Sequence, residues 1–173
     1  MEETTFLECD CVYHIYNRGT NKDNLFYNSK DYEWFLFLWE KYTDQIVDTY
    51  VYCLLSNHFH FMIKVKEMDE LRKIPKLATM EEKLIKYYLS RQFSNLFNAY
   101  SKYFNIKYNR VGKLFCERFK RKEITTDEYF NTLIEYIHTN PEKHGITDDY
   151  RDYEFSSYQE YRLSQPRRLV HTS

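Results

Sequence analysis

The segment His58-Phe-His-Phe-Met-Ile-Lys-Val65 constrains the fold of this chain more than any other segment. Its apolar residues alternate with other residues, and successive side chains of a β-strand point to opposite faces of a sheet. One face therefore carries only apolar side chains, whereas the other carries His58, His60, Met62 and Lys64. The pattern predicts a half-buried strand that holds two imidazoles on one face.

A second strand is predicted directly before this one. Residues 46–55 are rich in Val, Tyr and Leu, and Ser56-Asn57 is a turn signal between the two apolar runs. Two strands joined by such a short turn form an antiparallel hairpin.

The other segments alternate between strand and helix patterns. The predicted elements are a strand over 12–16 that stops at Asn17-Arg-Gly19, a helix over 31–42 capped by Ser29, a charged connection over 67–80, a helix from 81 to about 104, a strand over 113–124, and a helix that begins near Asp127 and ends before Pro141. This order predicts an α+β fold, with helices packed against one antiparallel sheet in a ferredoxin-like arrangement. Past Gly145 the chain is Tyr-rich and polar, and its last few residues are expected to be loose.

The composition indicates one folded domain over residues 1–173. Hydrophobic residues make up 43% of the chain, which excludes a disordered protein. No apolar run approaches the ~18 residues that a membrane span needs, and the acidic start is unlike a signal peptide. The four cysteines lack the spacing of a zinc site, which suggests reduced thiols. We therefore expect a soluble, cytoplasmic protein without a membrane partner.

The paired histidines suggest a metal site. Two neutral imidazoles two residues apart on a strand lie close enough to bind one divalent ion, and imidazole suits several transition metals. A His-x-His pair also arises by chance on a half-exposed strand, so the spacing alone does not decide between the two interpretations.

Three segments together resemble the REP-associated tyrosine transposases and their relatives among the single-tyrosine HUH nucleases of insertion sequences. They are Tyr13-His-Ile-Tyr-Asn-Arg-Gly19, Leu55-Ser-Asn-His-Phe-His-Phe-Met62 and Tyr136-Ile-His-Thr-Asn-Pro-Glu-Lys-His-Gly145. Segments 92–97 and 112–120 fit as well, so the resemblance covers roughly residues 12–150. It implies an HUH nuclease fold and an enzyme that cuts and rejoins single-stranded DNA beside a hairpin.

The resemblance also implies roles for particular residues. His58 and His60, with a third polar group, would hold Mg²⁺ or Mn²⁺ on the scissile phosphate. A tyrosine would attack the phosphorus and stay linked to the 5′ phosphate, which releases a 3′ hydroxyl.

Two tyrosines of the last predicted helix could be this nucleophile. Tyr136 lies at the edge of a narrow apolar stripe, and Tyr129 shares roughly the same side of the helix. Helix position alone leaves both open, whereas the family segment favours Tyr136.

Asn140, one turn after Tyr136, is the candidate for the third metal ligand. Insertion-sequence relatives use Gln or Glu there, and the carbonyl oxygen of Asn can also bind a hard cation. Asn140 could equally serve only to end the helix. His138 and His144 are alternatives that suit a structural or phosphate-facing role better.

The positive charge is concentrated in one segment. The whole chain has a net charge of −1, but residues 101–123 carry eight cations and two acids, a net +6. Such a patch can supply sequence-independent affinity for phosphates, and the interleaved aromatic residues could stack on unpaired bases. The alternative is a solvated charged strand with Phe115 and Phe119 on its inner face. The candidate DNA-binding residues are Arg18, Lys113, Arg118, Lys120, Arg121 and Lys122.

Two other functions stay open at this point. Ferredoxin-like sheets rich in aromatic residues also bind RNA, so the chain could be a non-catalytic module for single-stranded DNA or RNA hairpins. A metal-dependent phosphodiesterase that uses activated water would need the histidines but not the tyrosine. The family includes proteins that act alone and homodimers, so the sequence fits a monomer or a homodimer.

Overall fold

Four strands form one antiparallel sheet, and the histidine segment is one of its two central strands. The computed structural model describes residues 6–164. The strands are β1 (Val12–Arg18), β2 (Val47–Leu55), β3 (His58–Val65) and β4 (Lys120–Glu123). They lie in the order β2-β3-β1-β4, and every neighbouring pair is antiparallel. The α+β, ferredoxin-like fold class predicted from the sequence is confirmed.

Helices cover both faces of this sheet. They are α1 (Ser29–Thr43), α2 (Met68–Leu71), α3 (Glu82–Lys107), α4 (Asp127–Lys143) and α5 (Tyr158–Ser164), with short 3-10 turns at Thr20–Lys22, Pro75–Leu77 and Tyr150–Asp152. No helix among residues 6–164 is long and apolar enough to cross a membrane.

The face covered by α1 and α3 is packed with aromatic side chains. Phe59 and Phe61 of β3 point into this layer, as the alternation predicts, and both are fully buried. Trp39 of α1 stacks on Phe61 with ring centroids 3.5 Å apart. The apolar side chains of α3 are buried along the helix, from Ile85 to Phe104. Because β1 and β3 are the central strands, this layer anchors the strands that carry the polar residues of the other face.

The opposite face is covered by α4 and is only partly polar. Met62 is completely buried there among Val51, Cys53 and residues Leu133 and Ile137 of α4. The expectation that this face of β3 is half-exposed is therefore wrong at Met62. The strand pattern could not show this, because α4 is supplied by a distant part of the chain.

Several element boundaries differ from the sequence-based predictions. The N-cap of α1 is Asn28 rather than Ser29, and it forms a capping box with Asp31. Residues 113–119 are not part of β4, and an isolated bridge between Gly19 and Phe115 joins this stretch to the end of β1. The strand β1 itself continues to Arg18.

Helix α4 runs through Pro141 instead of ending before it. Proline removes one helical hydrogen bond but is tolerated here near the helix end, where the Pro141 ring is buried. The helix ends at Lys143, and Gly145 then takes the left-handed conformation, with φ of 65°.

The segment after Gly145, expected only as a polar tail, is part of the folded unit as far as Ser164. Backbone hydrogen bonds join Phe155 to Leu54 and Ser157 to Tyr52 of β2. The expectation of a loose end concerns residues 165–173 and lies outside the described residues.

Candidate active site

A cleft of about 470 Å³ opens where the ends of β1 and β3 meet α4. Its walls come from both central strands, from the loop after β1, from the segment before β4 and from α4. The lining residues are Tyr16, Asn17, Arg18, Lys22, Asn57, His58, His60, Cys116, Glu117, Lys120, Tyr136 and His144. The structure therefore brings together both predicted histidines, the preferred tyrosine and two of the predicted cations.

His58 and His60 lie on one face of β3, as their spacing predicts. Their ring centroids are 5.3 Å apart. His60 is 7% exposed and His58 is half-buried, so both rings form the floor of the cleft. His144, which follows α4, brings a third imidazole within 4.9 Å of the His58 ring.

Hydrogen bonds fix the orientation of both rings. Asn57 Oδ1 lies 2.6 Å from His58 Nδ1, and His14 Nε2 lies 2.9 Å from His60 Nδ1. The Nε2 atom of His60 is buried and has no hydrogen-bond partner among residues 6–164. A buried polar atom without a partner is uncommon in folded proteins and suggests a ligand.

His14, His58 and His60, which together form the histidine floor of the cleft, are neutral near pH 7. Burial and the nearby His144 lower the pKa of His58 to about 4. Burial and the positive charge of Lys122 lower the pKa of His14 to about 4. Burial and the neighbouring histidines hold the pKa of His60 well below its ordinary value. Neutral imidazoles keep a lone pair available for a cation, so this electrostatic environment suits metal binding.

Tyr136 points into the cleft and packs edge-on against a histidine. Its ring centroid is 5.5 Å from that of His60, and its side chain is 39% exposed. Lys143 Nζ lies 5.3 Å from the Tyr136 ring centroid. Tyr129 lies outside the cleft. Lys122 Nζ lies over its ring, and the ring packs against the apolar cluster between α4 and the sheet. Of the two tyrosines that the sequence left open, the structure thus places only Tyr136 beside the histidines.

Asn140 is completely buried between α4 and the histidine floor. Its Nδ2 donates to the carbonyl of Tyr136 at 3.1 Å. Its Oδ1 is buried and makes no hydrogen bond of good geometry within the described chain. The Asn140 side chain lies near the His58 ring and opposes the lowering of the His58 pKa by burial and by His144. Asn140 does not end the helix, which continues to Lys143.

The alternatives to Asn140 differ in position. His144 lines the cleft, whereas His138 points away from it and pairs with Ser157 Oγ at 3.1 Å. Across residues 6–164, no group of three or more His, Cys, Asp or Glu side chains is arranged to hold a metal ion. A metal at this site would therefore depend on the two histidines together with an amide oxygen or His144.

The predicted DNA-binding residues fall into two groups. Arg18 and Lys120 line the cleft, and Lys122 lies on the same face of the sheet. Lys113, Arg118 and Arg121 instead line a second groove of about 660 Å³ beside α3. The two grooves share Asn17 and Glu117, and Asn17 Nδ2 donates to the carbonyl of Glu117 at 3.0 Å. That hydrogen bond forms a thin wall between them.

The guanidinium of Arg121 makes its contacts within the protein. Its Nη1 donates to Ser90 Oγ at 3.0 Å, and its guanidinium lies 4.6 Å from the centroid of the Phe119 ring. Burial lowers its pKa. The alternation of β4 points Arg121 toward α3, on the face opposite to Lys120 and Lys122.

The aromatic residues that are interleaved with the cations of residues 101–123 mostly pack in the core or make hydrogen bonds within the protein. Phe104, Phe115 and Phe119 are buried in the core, as expected for Phe115 and Phe119 if they lie on an inner face. Tyr103 and Tyr108 both donate to the buried carboxylate of Asp31. The structure therefore does not present these five rings as a stacking surface.

Comparisons with known proteins agree with this architecture. No family model matches the chain. It is similar to a curated protein of Haemophilus influenzae that is provisionally named a REP-associated tyrosine transposase, with 28% identity over 114 residues, or 64% of this chain. The matched region spans 58% of that relative's length. A solved structure described as a REP-associated tyrosine transposase bound to a REP hairpin superposes with a TM-score of 0.65. That match covers 96% of this chain and 88% of the other, at 15% identity.

The chain has the fold of a REP-associated tyrosine transposase. The family resemblance inferred from three segments of the sequence is confirmed by the curated relative and by the shared fold.

Several residues of the cleft were missed by sequence reasoning. His14 and Tyr16 lie on the cleft side of β1, where their rings stack at 4.6 Å. Asn57 at the hairpin turn and Glu117 in the segment before β4 complete the walls. Alternation in β1 places His14, Tyr16 and Arg18 on one face and could have suggested the first two. The cross-strand register that brings them to His60 is not visible in the sequence.

Proposed function

We propose that the chain is an HUH-type strand transferase that cuts single-stranded DNA beside hairpins, with Tyr136 as its covalent nucleophile. The observation that carries this proposal is the position of Tyr136, whose ring packs on His60 in the cleft that also holds His58 and His144. A half-exposed phenol at this point can reach a bound phosphate while its ring stays packed.

The reaction exchanges one phosphoester bond for another. Tyr136 Oη attacks the scissile phosphorus, the P–Oη bond forms, and the bond to the 3′ oxygen breaks. The phenol loses a proton and the 3′ oxygen gains one, so a 3′ hydroxyl leaves while the 5′ phosphate stays on Tyr136. Because the phosphotyrosine retains the bond energy, the strand can be rejoined without ATP. Orientation of the phenol by its packed ring is the contribution that free tyrosine lacks.

The proposed cofactor is Mg²⁺ or Mn²⁺. His60 Nε2 and Asn140 Oδ1 are buried without partners in the described chain, and with His58 they form a donor set that fits a divalent cation. When bound, such an ion acts as a Lewis acid on a phosphate oxygen. Asn140 is the proposed third ligand, with His144 as the alternative that the cleft provides.

The proposed substrate is a DNA hairpin with an adjoining single strand. The structural neighbour is bound to a REP hairpin, and this chain has the same fold. Arg18 and Lys120 at the cleft can contact phosphates next to the nucleophile, while Lys113 and Arg118 extend the positive surface into the second groove.

A covalent-adduct assay tests the proposal. Wild-type protein is incubated with single-stranded hairpin DNA and Mn²⁺, and the products are separated under denaturing conditions. Tyr136→Phe should abolish the protein–DNA adduct, since it removes the attacking oxygen. Tyr129→Phe is the matched control, because it removes the same atom from a tyrosine of the same helix outside the cleft, and it should leave the adduct unchanged.

Other results would support different functions. Nicking by Tyr136→Phe would indicate a phosphodiesterase that uses water. Loss of the adduct in Tyr129→Phe alone would show that the other tyrosine is the nucleophile.

A non-catalytic hairpin-binding module is the second candidate. It is favoured by one observation: the part of the chain that the structure describes has no group of three or more His, Cys, Asp or Glu side chains arranged for a metal. Hairpin binding by the wild type without cleavage, in Mg²⁺ or Mn²⁺, would support this module.

A further inference from the structure

We infer that His14 is a positioning residue that sets the tautomer and ring orientation of His60. The inference rests on the proposed function in one respect, namely that His60 is a metal ligand. His14 is 7% exposed, and its Nε2 lies 2.9 Å from His60 Nδ1. A histidine that binds a metal through one nitrogen is usually oriented by a hydrogen bond from the other.

The fold holds His14 in this place from several sides. In the sheet, His14 is opposite Met62, and Tyr16 is opposite His60, so His14 reaches His60 diagonally across two hydrogen-bonded strands. The His14 ring stacks on Tyr16 at 4.6 Å and on His60 at 5.1 Å. The three nearly parallel rings leave His14 little freedom to turn away.

The hydrogen bond permits two proton arrangements. In the first, His60 Nδ1–H donates to His14 Nε2, which leaves a lone pair on His60 Nε2. In the second, His14 Nε2–H donates to His60 Nδ1, which places a proton on His60 Nε2. Only the first arrangement allows His60 to bind a cation through Nε2.

The surroundings of His60 Nε2 favour the first arrangement. This atom is buried and has no hydrogen-bond partner in the described chain. A proton there would be a buried donor without an acceptor, which is unfavourable. A lone pair at the same position can instead be satisfied by a cation. His14 therefore acts as the hydrogen-bond acceptor that a carboxylate or backbone carbonyl provides in many metal sites.

Two measurements test this role, and the first needs neither metal nor DNA. Long-range ¹H–¹⁵N NMR of the metal-free protein reports which nitrogen of each histidine carries the proton. We expect His60 to be protonated at Nδ1. Protonation at Nε2 would overturn the inference, whether or not the protein cuts DNA.

The second measurement is Mn²⁺ affinity. His14→Leu replaces the accepting imidazole with an apolar side chain of similar length. This variant should bind Mn²⁺ roughly 10–100-fold more weakly than the wild type. His14→Gln can offer its Oε1 as an acceptor and should restore part of that affinity. His138→Leu is the matched control, since it removes an equally buried histidine that bonds to Ser157 outside the cleft, and it should leave Mn²⁺ binding unchanged.

The outcomes separate this inference from the proposed function. If wild-type protein binds Mn²⁺ and folded His14→Leu binds it equally well, the positioning role is wrong and the metal site stands. If the wild type does not bind Mn²⁺ at all, the proposed metal site is wrong, while the NMR tautomer still decides whether His14 orients His60. If His14→Leu does not fold, His14→Gln and the wild-type tautomer decide.

Discussion

The two faces of the sheet differ in the side chains that they bury. The face toward α1 and α3 is a continuous aromatic layer in which Phe61 stacks on Trp39. The face toward α4 is apolar at Met62 and Cys53, but toward the ends of β1 and β3 it becomes a floor of neutral histidines. Two buried polar atoms there lack partners within the described chain. One face is a packed apolar layer, whereas the other carries the buried polar atoms that the proposed metal ion would contact.

The aromatic layer should show the largest effect on stability. Phe61→Ala removes a fully buried ring and should lower the free energy of unfolding by about 3–5 kcal/mol. Urea denaturation measures this loss. Phe61→Leu, which keeps most of the apolar volume, is the control and should lose clearly less. A loss below about 1 kcal/mol for the alanine variant would mean that this layer does not dominate stability.

The α4 face should make the fold sensitive to acid. Burial lowers the pKa of His138 to about 4, whereas an unfolded histidine titrates near 6.5. The unfolded chain therefore binds the proton first, and stability falls as the pH drops from about 6.5 toward 4. In His138→Gln, the loss of stability between pH 7 and pH 5 should be smaller by up to about 2 kcal/mol.

At pH 8 the histidine is neutral in the folded and the unfolded chain, so the difference in unfolding free energy between variant and wild type measures only the loss of the His138–Ser157 hydrogen bond. The further difference at pH 5 measures the effect of protonation. An identical pH dependence in the two proteins would show that another group controls acid unfolding.

The positive residues of the two grooves can be compared through salt dependence. Replacing Arg18 and Lys120 with Gln should reduce the slope of log affinity against log salt by about 1.4, at roughly 0.7 for each cation on a single strand. Replacing Lys113 and Arg118 with Gln should give a similar reduction if the single-stranded DNA extends into the second groove. Arg121→Gln should instead lower stability and leave the slope unchanged, because its guanidinium is already bound to Ser90 and stacked on Phe119.

Fluorescence titration over a range of salt concentrations measures these slopes. An unchanged slope in Arg18→Gln/Lys120→Gln would exclude a DNA path through the cleft.

The smallest expected change in stability is at Asn140. Asn140→Leu replaces a buried amide, whose Oδ1 has no partner in the described residues, by an apolar side chain of similar size. The free energy of unfolding without metal should stay within about 1 kcal/mol of the wild type or rise. Mn²⁺ affinity should fall, since a proposed ligand is lost. A large loss of stability with unchanged Mn²⁺ affinity would show that Asn140 is purely structural.

The local pattern of the hairpin was sufficient to predict one half of the site. Alternation in β3 placed His58 and His60 on one face, and the turn at Ser56-Asn57 joined the correct strands. The choice of Tyr136 over Tyr129 came from the family resemblance, because both lie on the same side of α4. These predictions depended on short-range geometry or on a family pattern, and each of these can be recognised in a single sequence.

The remaining features depend on long-range packing. The contact between His14 and His60 requires the register of two strands that are 46 residues apart in sequence. Burial of Met62 requires α4, and the continuation of α4 past Asn140 requires a buried site for Pro141. The position of Arg121 is different, since alternation in β4 alone would have separated it from Lys120 and Lys122.

The order in which the site is synthesised follows from its topology. The ribosome completes β1 and β3, with all the histidines of the floor, long before it reaches α4 and Tyr136. A nascent chain that has emerged only as far as β3 therefore carries the proposed metal ligands His58 and His60 but has no nucleophile. Tyr136 and Asn140 arrive together on the one helix that also covers Met62. Under the proposed function, a chain in which α4 has not yet been synthesised could bind a divalent cation but could not form the covalent adduct.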